Sequence, residues 1–207
     1  MVLEEIGEQI QKVMDEKEAV REVAIKASRA IVRQCSSAIQ LIHKGIEASE
    51  AIEAAREEIQ KLQGIIAEHP EMNYSGFVDT AYQEFTEVAV LQAISEGDDI
   101  PGPDDLDVTP QSYIEGIGDV VGELRRFALD AVIEGKVDEA REHLAMMDEI
   151  YTFLMRFDYP AALSGVKRKQ DVARSLVEKT RGDITVATRA HALEKRIREH
   201  HELLERE

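Results

Sequence analysis

Two short acidic patterns combine residue types and spacings that suit metal chemistry. Glu84 precedes Glu87 by three positions, and Asp119 precedes Glu123 by four. On a helix, either spacing places the two side chains on one face, about one turn apart. Carboxylate oxygens without a thiolate or imidazole favour Mg²⁺ or Mn²⁺ over Zn²⁺. One or two such ions would activate water and stabilise the charge on a phosphodiester during its cleavage.

The surroundings of the first pair strengthen this interpretation. At about 100° per residue, Glu84 and Glu87 share a helix face with apolar residues, namely Phe77, Ala81, Val88, Leu91 and Ile94. Thr86 lies towards the other side. Because an unpaired carboxylate is costly to bury, the pair needs a proton, a cationic partner or a metal. The second pair shares its face with Arg126 and Phe127, which predicts a position at the border of the buried surface.

Glycines mark the helix of the second pair. Gly116, Gly118 and Gly122 lie within two turns, and each costs roughly 1 kcal/mol relative to Ala in a helix interior. Such a cluster indicates that another backbone or a ligand comes close.

Other interpretations of the acids stay open. The chain contains 42 acidic residues, so these spacings also arise by chance, as solvated or salt-bridged helix acids. Iron oxidase chemistry is not favoured, because helical di-iron sites use Glu-x-x-His pairs. None of the six histidines has a Glu three residues before it.

Basic residues form one stripe on the first predicted helix and one cluster on the sixth. The stripe comprises Lys26, Arg29, Arg33, His43 and Lys44. The cluster comprises Lys167, Arg168, Lys169, Arg174, Lys179 and Arg181. In a chain with a formal net charge of −17, these are the places that would contact a phosphate backbone. An ordinary solvated helix face is the alternative for both.

Composition and periodicity predict a single all-α domain over residues 1–207. Seven helices are expected, over about 3–46, 49–68, 75–95, 110–135, 137–157, 161–181 and 183–207. Thr109-Pro110 is typical of a helix start, and Gly182-Asp183 of a helix end followed by a new N-cap. The single cysteine, Cys35, excludes an intrachain disulfide and is predicted to be a packed thiol. With no secretory signal and no long apolar stretch, we expect a cytoplasmic location and no membrane partner.

Several segments resemble the Trax branch of the translin family. They are Gln83 to Ala89, Asp107 to Arg126, Glu149-Ile150-Tyr151 and Lys179 to Gly182. The similarity follows the order of the helices over most of the chain, and the block from Gly116 to Arg126 is fairly specific. Gly118 and Val121 depart from the residues expected at their positions.

The resemblance implies a seven-helix subunit of a hollow oligomer, often an octamer, formed by this chain alone or with a translin-like subunit. It implies a C3PO-type endoribonuclease that cleaves single-stranded RNA with Mg²⁺ or Mn²⁺; single-stranded DNA is a second candidate ligand. The family's catalytic, metal-binding acids carry over onto Glu84, Glu87, Asp119 and Glu123, and all four positions match. Three alternatives remain: a translin-like shell that binds nucleic acid without cleaving it, an all-α nucleotide pyrophosphohydrolase, and a scaffold that only oligomerises.

Overall fold

A computed structural model describes residues 2–160 and 163–204, without the side chains of Lys195 and residues 202–204. Its elements are α1 (Val2–His43), α2 (Ser49–Ile66), a short 3₁₀ helix (Pro70–Tyr74), α3 (Gly76–Glu96), α4 (Pro110–Ile133), α5 (Val137–Leu154) and α6 (Val166–Leu204). The described ranges contain no strand, so the all-α prediction is confirmed. None of the helices in these ranges combines the length and apolarity needed to cross a membrane.

Local signals in the sequence account for several helix ends. Gly45, Gly97 and Gly135 follow α1, α3 and α4 with φ angles of 65°, 74° and 76°. This left-handed conformation favours glycine, which has no Cβ to clash. At the start of α4, the backbone N–H of Ser112 donates to Thr109 Oγ1 over 3.2 Å, so the predicted N-cap is confirmed.

The predicted boundary at Gly182-Asp183 is wrong, because α6 continues through it as one helix of 39 residues. Gly182 does not have a positive φ. The Arg125 guanidinium of α4 donates to Thr180 Oγ1 over 2.6 Å and to Asp183 Oδ2 over 2.9 Å. Asp183 therefore binds a neighbouring helix instead of capping a new one, and the sixth and seventh predicted helices are continuous.

The chain divides into two compact units, residues 1–116 and 117–207. In the first unit α1 packs against α2 and α3, around a core that includes Ile31, Ile59, Leu62, Phe85 and Leu91. The loop after α3 is fixed to α2, because Gln63 Nε2 donates to the Asp107 carbonyl over 2.7 Å. The prediction of one domain over residues 1–207 stays a prediction.

In the second unit α5 packs along α6. The buried side chains include Leu124, Met147, Leu154, Ala173, Val177 and Ile184. Gln170 Nε2, near the start of α6, donates to the carbonyls of Leu154 and Phe157 over 2.8 and 2.6 Å. These bonds anchor the first turns of α6 to the end of α5.

Candidate functional site

The first acidic pair lies on a helix that is buried on nearly every side. Glu87 is 8% exposed and Glu84 is half-buried, as the apolar stripe predicted. Thr86, expected on the polar side, is fully buried instead. Its hydroxyl donates to the Tyr82 carbonyl over 2.8 Å, so its polar group is satisfied within α3. The apolar surface of α3 is therefore wider than the single stripe inferred from periodicity.

Cys35 of α1 lies beside both glutamates of α3. Burial raises the pKa of its thiol well above the usual range, and the negative charges of Glu84 and Glu87 raise it further. The prediction of a packed thiol is confirmed, since Cys35 is completely buried.

Close contact between α3 and the first turns of α4 explains one of the glycines. A Cβ at Gly116 would lie 2.6 Å from the Gln83 carbonyl oxygen and 2.7 Å from Thr86 Cβ. Only glycine lets the two helices come this close. The expected approach of another backbone is thus confirmed at Gly116.

The same contact contains two acids that the sequence interpretation missed. Glu115 is buried and accepts a bond from Gln83 Nε2 over 3.3 Å, while Asp79 accepts one from Ser112 Oγ over 3.0 Å. Burial raises the pKa of Asp79; the Ser112 hydrogen bond opposes this effect, and the charge of Glu115 adds to it. A usable signal existed, because Glu115 precedes Asp119 by four residues, the spacing that singled out Asp119 and Glu123.

The second acidic pair belongs to the other unit, where Asp119 and Glu123 are half-buried as expected. The Lys169 ammonium of α6 binds Asp119 Oδ2 in an ion pair. Lys169 was expected in a solvent-facing basic cluster, but its side chain is only 6% exposed, so that placement is wrong. A Cβ at Gly118 would lie 2.8 Å from Lys169 Cβ, which explains the second glycine.

The chemistry of these donors fits a hard divalent cation, since all four side chains offer carboxylate oxygens. Asp119 already has a cation, the Lys169 ammonium, against its carboxylate. Within residues 2–160 and 163–204, no three or more His, Cys, Asp or Glu side chains are grouped closely enough to hold an ion. Metal binding by Glu84, Glu87, Asp119 and Glu123 stays a prediction.

The basic stripe of α1 is largely accessible. Lys26, Arg29, Arg33 and Lys44 are exposed, whereas His43 is half-buried. Arg29 and Arg33 border a groove of about 540 Å³, which Arg21 of α1 and Phe77 of α3 also line. A role for the stripe in RNA binding stays a prediction.

Comparison with known proteins identifies the family. The Translin family model matches residues 18–181. The chain belongs to the Translin family. A relative of similar sequence, an uncharacterized protein of Methanocaldococcus jannaschii, is 38% identical over 172 residues, which cover 81% of this chain and 76% of the relative. The resemblance seen in the sequence is confirmed.

Solved structures share the fold of this Translin-family chain. AfC3PO in complex with duplex RNA superposes with a TM-score of 0.81 at 36% identity, covering 88% of this chain and 96% of that one. AfC3PO alone gives a TM-score of 0.80 at 36% identity, with 88% and 97% coverage. NeC3PO without ligand gives 0.69 at 21% identity, with 89% and 96% coverage, and this likeness concerns the fold alone.

Proposed function

We propose that this Translin-family chain is the catalytic subunit of a metal-dependent endoribonuclease that cleaves single-stranded RNA. The observation that carries the proposal is the placement of Glu84 and Glu87, which put a half-buried and a buried carboxylate on α3 beside Cys35. A carboxylate is costly to bury unless a proton, a hydrogen-bond donor or a cation compensates its charge, and a divalent ion would supply such compensation here. AfC3PO, 36% identical over 88% of this chain, has been solved with duplex RNA, which supports RNA as the ligand class.

The proposed chemistry assigns the four acids one role. Glu84, Glu87, Asp119 and Glu123 would hold Mg²⁺ or Mn²⁺ through carboxylate oxygens, which are hard donors. The ion, when bound, supplies an activated water and neutralises charge on the scissile phosphate. Lys26, Arg29, Arg33, His43 and Lys44 would position the RNA backbone through contacts with its phosphates.

We also propose that the subunits form a closed oligomer, either an octamer of this chain or a mixed shell with a translin-like subunit. Exposed apolar side chains along the first half of α1 support subunit contacts, namely Leu3, Ile6, Ile10 and Val13. Such patches usually mark interaction surfaces. A native mass measurement distinguishes a monomer, an octamer and a mixed assembly. A cytoplasmic location stays a prediction.

The test of the catalytic proposal is the variant Glu123→Ala. Loss of one metal ligand is expected to lower the RNA cleavage rate by more than about 100-fold, above the effect of most residues that only support a ligand. Retention of labelled single-stranded RNA in a gel-shift assay is expected to stay near the parental level. Asp130→Ala, which removes an exposed acid of the same helix, is the matched control and should cleave normally.

Each outcome of this assay has a clear meaning. Cleavage by Glu123→Ala at the parental rate with added Mg²⁺ would contradict the assignment of the site. If the parental chain binds RNA but cleaves neither single-stranded nor duplex RNA with metal present, the non-cleaving shell is the better description. Pyrophosphate release from free nucleoside triphosphates would instead indicate a pyrophosphohydrolase.

A further inference from the structure

Lys169 is a buried lysine whose ammonium binds the carboxylate of a predicted metal ligand, Asp119. Its side chain is 6% exposed, whereas that of Asp119 is 39% exposed, and its ammonium binds Asp119 Oδ2. Lysine is seldom buried to this degree unless its charge is paired. The cation of this pair is therefore held in the fold, while the carboxylate stays accessible to solvent.

The packing around Lys169 directs the side chain towards Asp119. A Cβ at Gly118 would lie 2.8, 3.1 and 3.3 Å from Cβ, Cγ and Cδ of Lys169, so glycine makes room for the aliphatic part of the lysine. The next residue of α6, Gln170, donates to the carbonyls of Leu154, the last residue of α5, and of Phe157, which follows that helix. Together these contacts fix the position of Lys169 along α4 and the register of the first turns of α6.

We propose that Lys169 is a positioning residue that competes with the divalent cation for Asp119 and so sets the metal concentration that the site requires. The inference rests on the proposed function, because it takes Asp119 as a metal ligand. A metal ion and the ammonium seek the same carboxylate, and two cations repel each other strongly where solvent screening is reduced. Metal binding then requires the ammonium to give up part of its contact with Asp119.

Two other roles for Lys169 predict different results. If the lysine only orients Asp119 for the metal, removal of its charge weakens metal binding. If it only stabilises the fold, its removal lowers the unfolding temperature and leaves metal affinity unchanged. Competition alone predicts tighter metal binding after the charge is removed, so the direction of the change in affinity separates the three roles.

The experiment compares Mn²⁺ binding by the RNA-free full-length chain and by Lys169→Met, followed through the electron paramagnetic resonance signal of free Mn²⁺. Methionine keeps an unbranched apolar stem beside Gly118 and removes the charge. We expect Lys169→Met to bind Mn²⁺ about tenfold more tightly, within the range of changes made next to metal ligands. Lys136→Met is the matched control: it removes an exposed lysine that pairs with Glu134 over 2.7 Å and should bind as the parent does.

Circular dichroism and native mass establish that each variant is folded. If Lys169→Met does not fold, Lys169→Gln takes its place, since an amide can still donate to Asp119 without a charge; the same tightening is expected. Equal or weaker Mn²⁺ binding by the folded variant, beside a parent that binds Mn²⁺, overturns the competition and leaves the proposed function standing. Absence of Mn²⁺ binding by both proteins overturns the metal-dependent function and this inference together.

Discussion

The three glycines of α4 have three different surroundings, although all lie within two turns of one helix. Gly116 faces the backbone of α3, with the Gln83 carbonyl oxygen 2.6 Å from where a Cβ would stand. Gly118 faces the aliphatic stem of Lys169. Around Gly122, no described atom other than its own helix and chain neighbours lies within 4 Å of that point. The cost of adding a methyl group must therefore differ at each position.

Gly116→Ala is predicted to destabilise the protein, whereas Gly122→Ala is predicted to stabilise it. At Gly116 the methyl group would force a rigid backbone contact apart, at a cost of roughly 1–3 kcal/mol. At Gly122 alanine gains up to about 1 kcal/mol of helix propensity and meets no neighbour. Urea unfolding followed by circular dichroism measures both changes. Equal effects in the two variants would contradict the close approach at Gly116.

The sequence predicted the burial of single residues within one helix, but it did not predict which residues of different helices would pair. Periodicity placed Glu87 and Cys35 in buried surroundings because each lies among apolar residues of its own helix. It gave no sign that Lys169 would meet Asp119, since 50 residues separate them and their pairing depends on the packing of α6 against α4. Lysine in a run of basic residues is normally solvated, and the glycine that makes room for this one lies on another helix.

At the scale of elements, the packing of α3 against the start of α4 shifts the pKa of Asp79. Ser112 Oγ donates to Asp79 over 3.0 Å and lies 2.8 Å from the Thr109 hydroxyl that caps α4. Burial, with a further contribution from Glu115, raises the pKa of Asp79 above the ordinary value of 3.8, despite the Ser112 bond. The folded state thus favours the protonated form more than the unfolded state does.

Asp79→Asn is predicted to raise stability at pH 7 and to lose this advantage in acid. The parental carboxylate is charged at pH 7. Because its pKa is higher in the folded state, its charged form lowers the free energy of unfolding at this pH. As the pH falls through the folded pKa towards 3.8, the parent takes up a proton and recovers that stability. The amide oxygen of asparagine can still accept the Ser112 bond.

Urea unfolding of Asp79→Asn and the parent between pH 7 and pH 4 measures this effect. The difference in the free energy of unfolding should shrink steadily as the pH falls. Asp130→Asn, at an exposed position of α4, is the control and should show no such trend. A difference that grows in acid would show that the charged form of Asp79 is stabilised by the fold.

Helix ends were predicted well where glycine is required and poorly where it is only tolerated. Gly97 and Gly135 adopt a positive φ, and the helices before them end close to the predicted positions; Gly45 also has a positive φ, but it ends α1 three residues before the predicted end at 46. Gly182 does not adopt it, because Arg125 of α4 binds Thr180 and Asp183 on either side of it and the continuous helix supplies both partners. The composition of the dipeptide cannot distinguish these two situations, since the deciding contact comes from a different helix.

At the scale of the whole molecule, the net negative charge restricts RNA binding to surfaces that carry local cations. A chain with a formal net charge of −17 repels a polyanion, so binding depends on local cations that neutralise phosphates. Arg29 and Arg33 are exposed, and both border the groove between α1 and α3. The helical spacing of the basic residues was enough to predict this stripe from the sequence. The spacing does not predict how an oligomer would orient the stripes of several subunits towards one RNA.

The double variant Arg29→Ala, Arg33→Ala is predicted to weaken binding of single-stranded RNA and its dependence on salt. Each phosphate contact with a single strand contributes about 0.7 to the slope of log affinity against log salt, because one contact releases condensed counterions. Loss of two contacts should reduce the slope by about 1.4. Fluorescence anisotropy with a labelled RNA, measured from low to moderate salt, gives both slopes.

The control for this measurement removes two cations that are already neutralised locally. Lys136 pairs with Glu134 over 2.7 Å, and Arg141 pairs with Asp138 over 2.9 Å, both at exposed positions. A double variant to alanine at these residues makes the net charge more negative by the same amount as the test variant, so it reproduces any general effect of charge on association. If the slope falls equally in both variants, long-range charge explains the loss; if it falls only for Arg29 and Arg33, those residues contact phosphate. An unchanged slope in the test variant would remove the stripe from the path of the RNA.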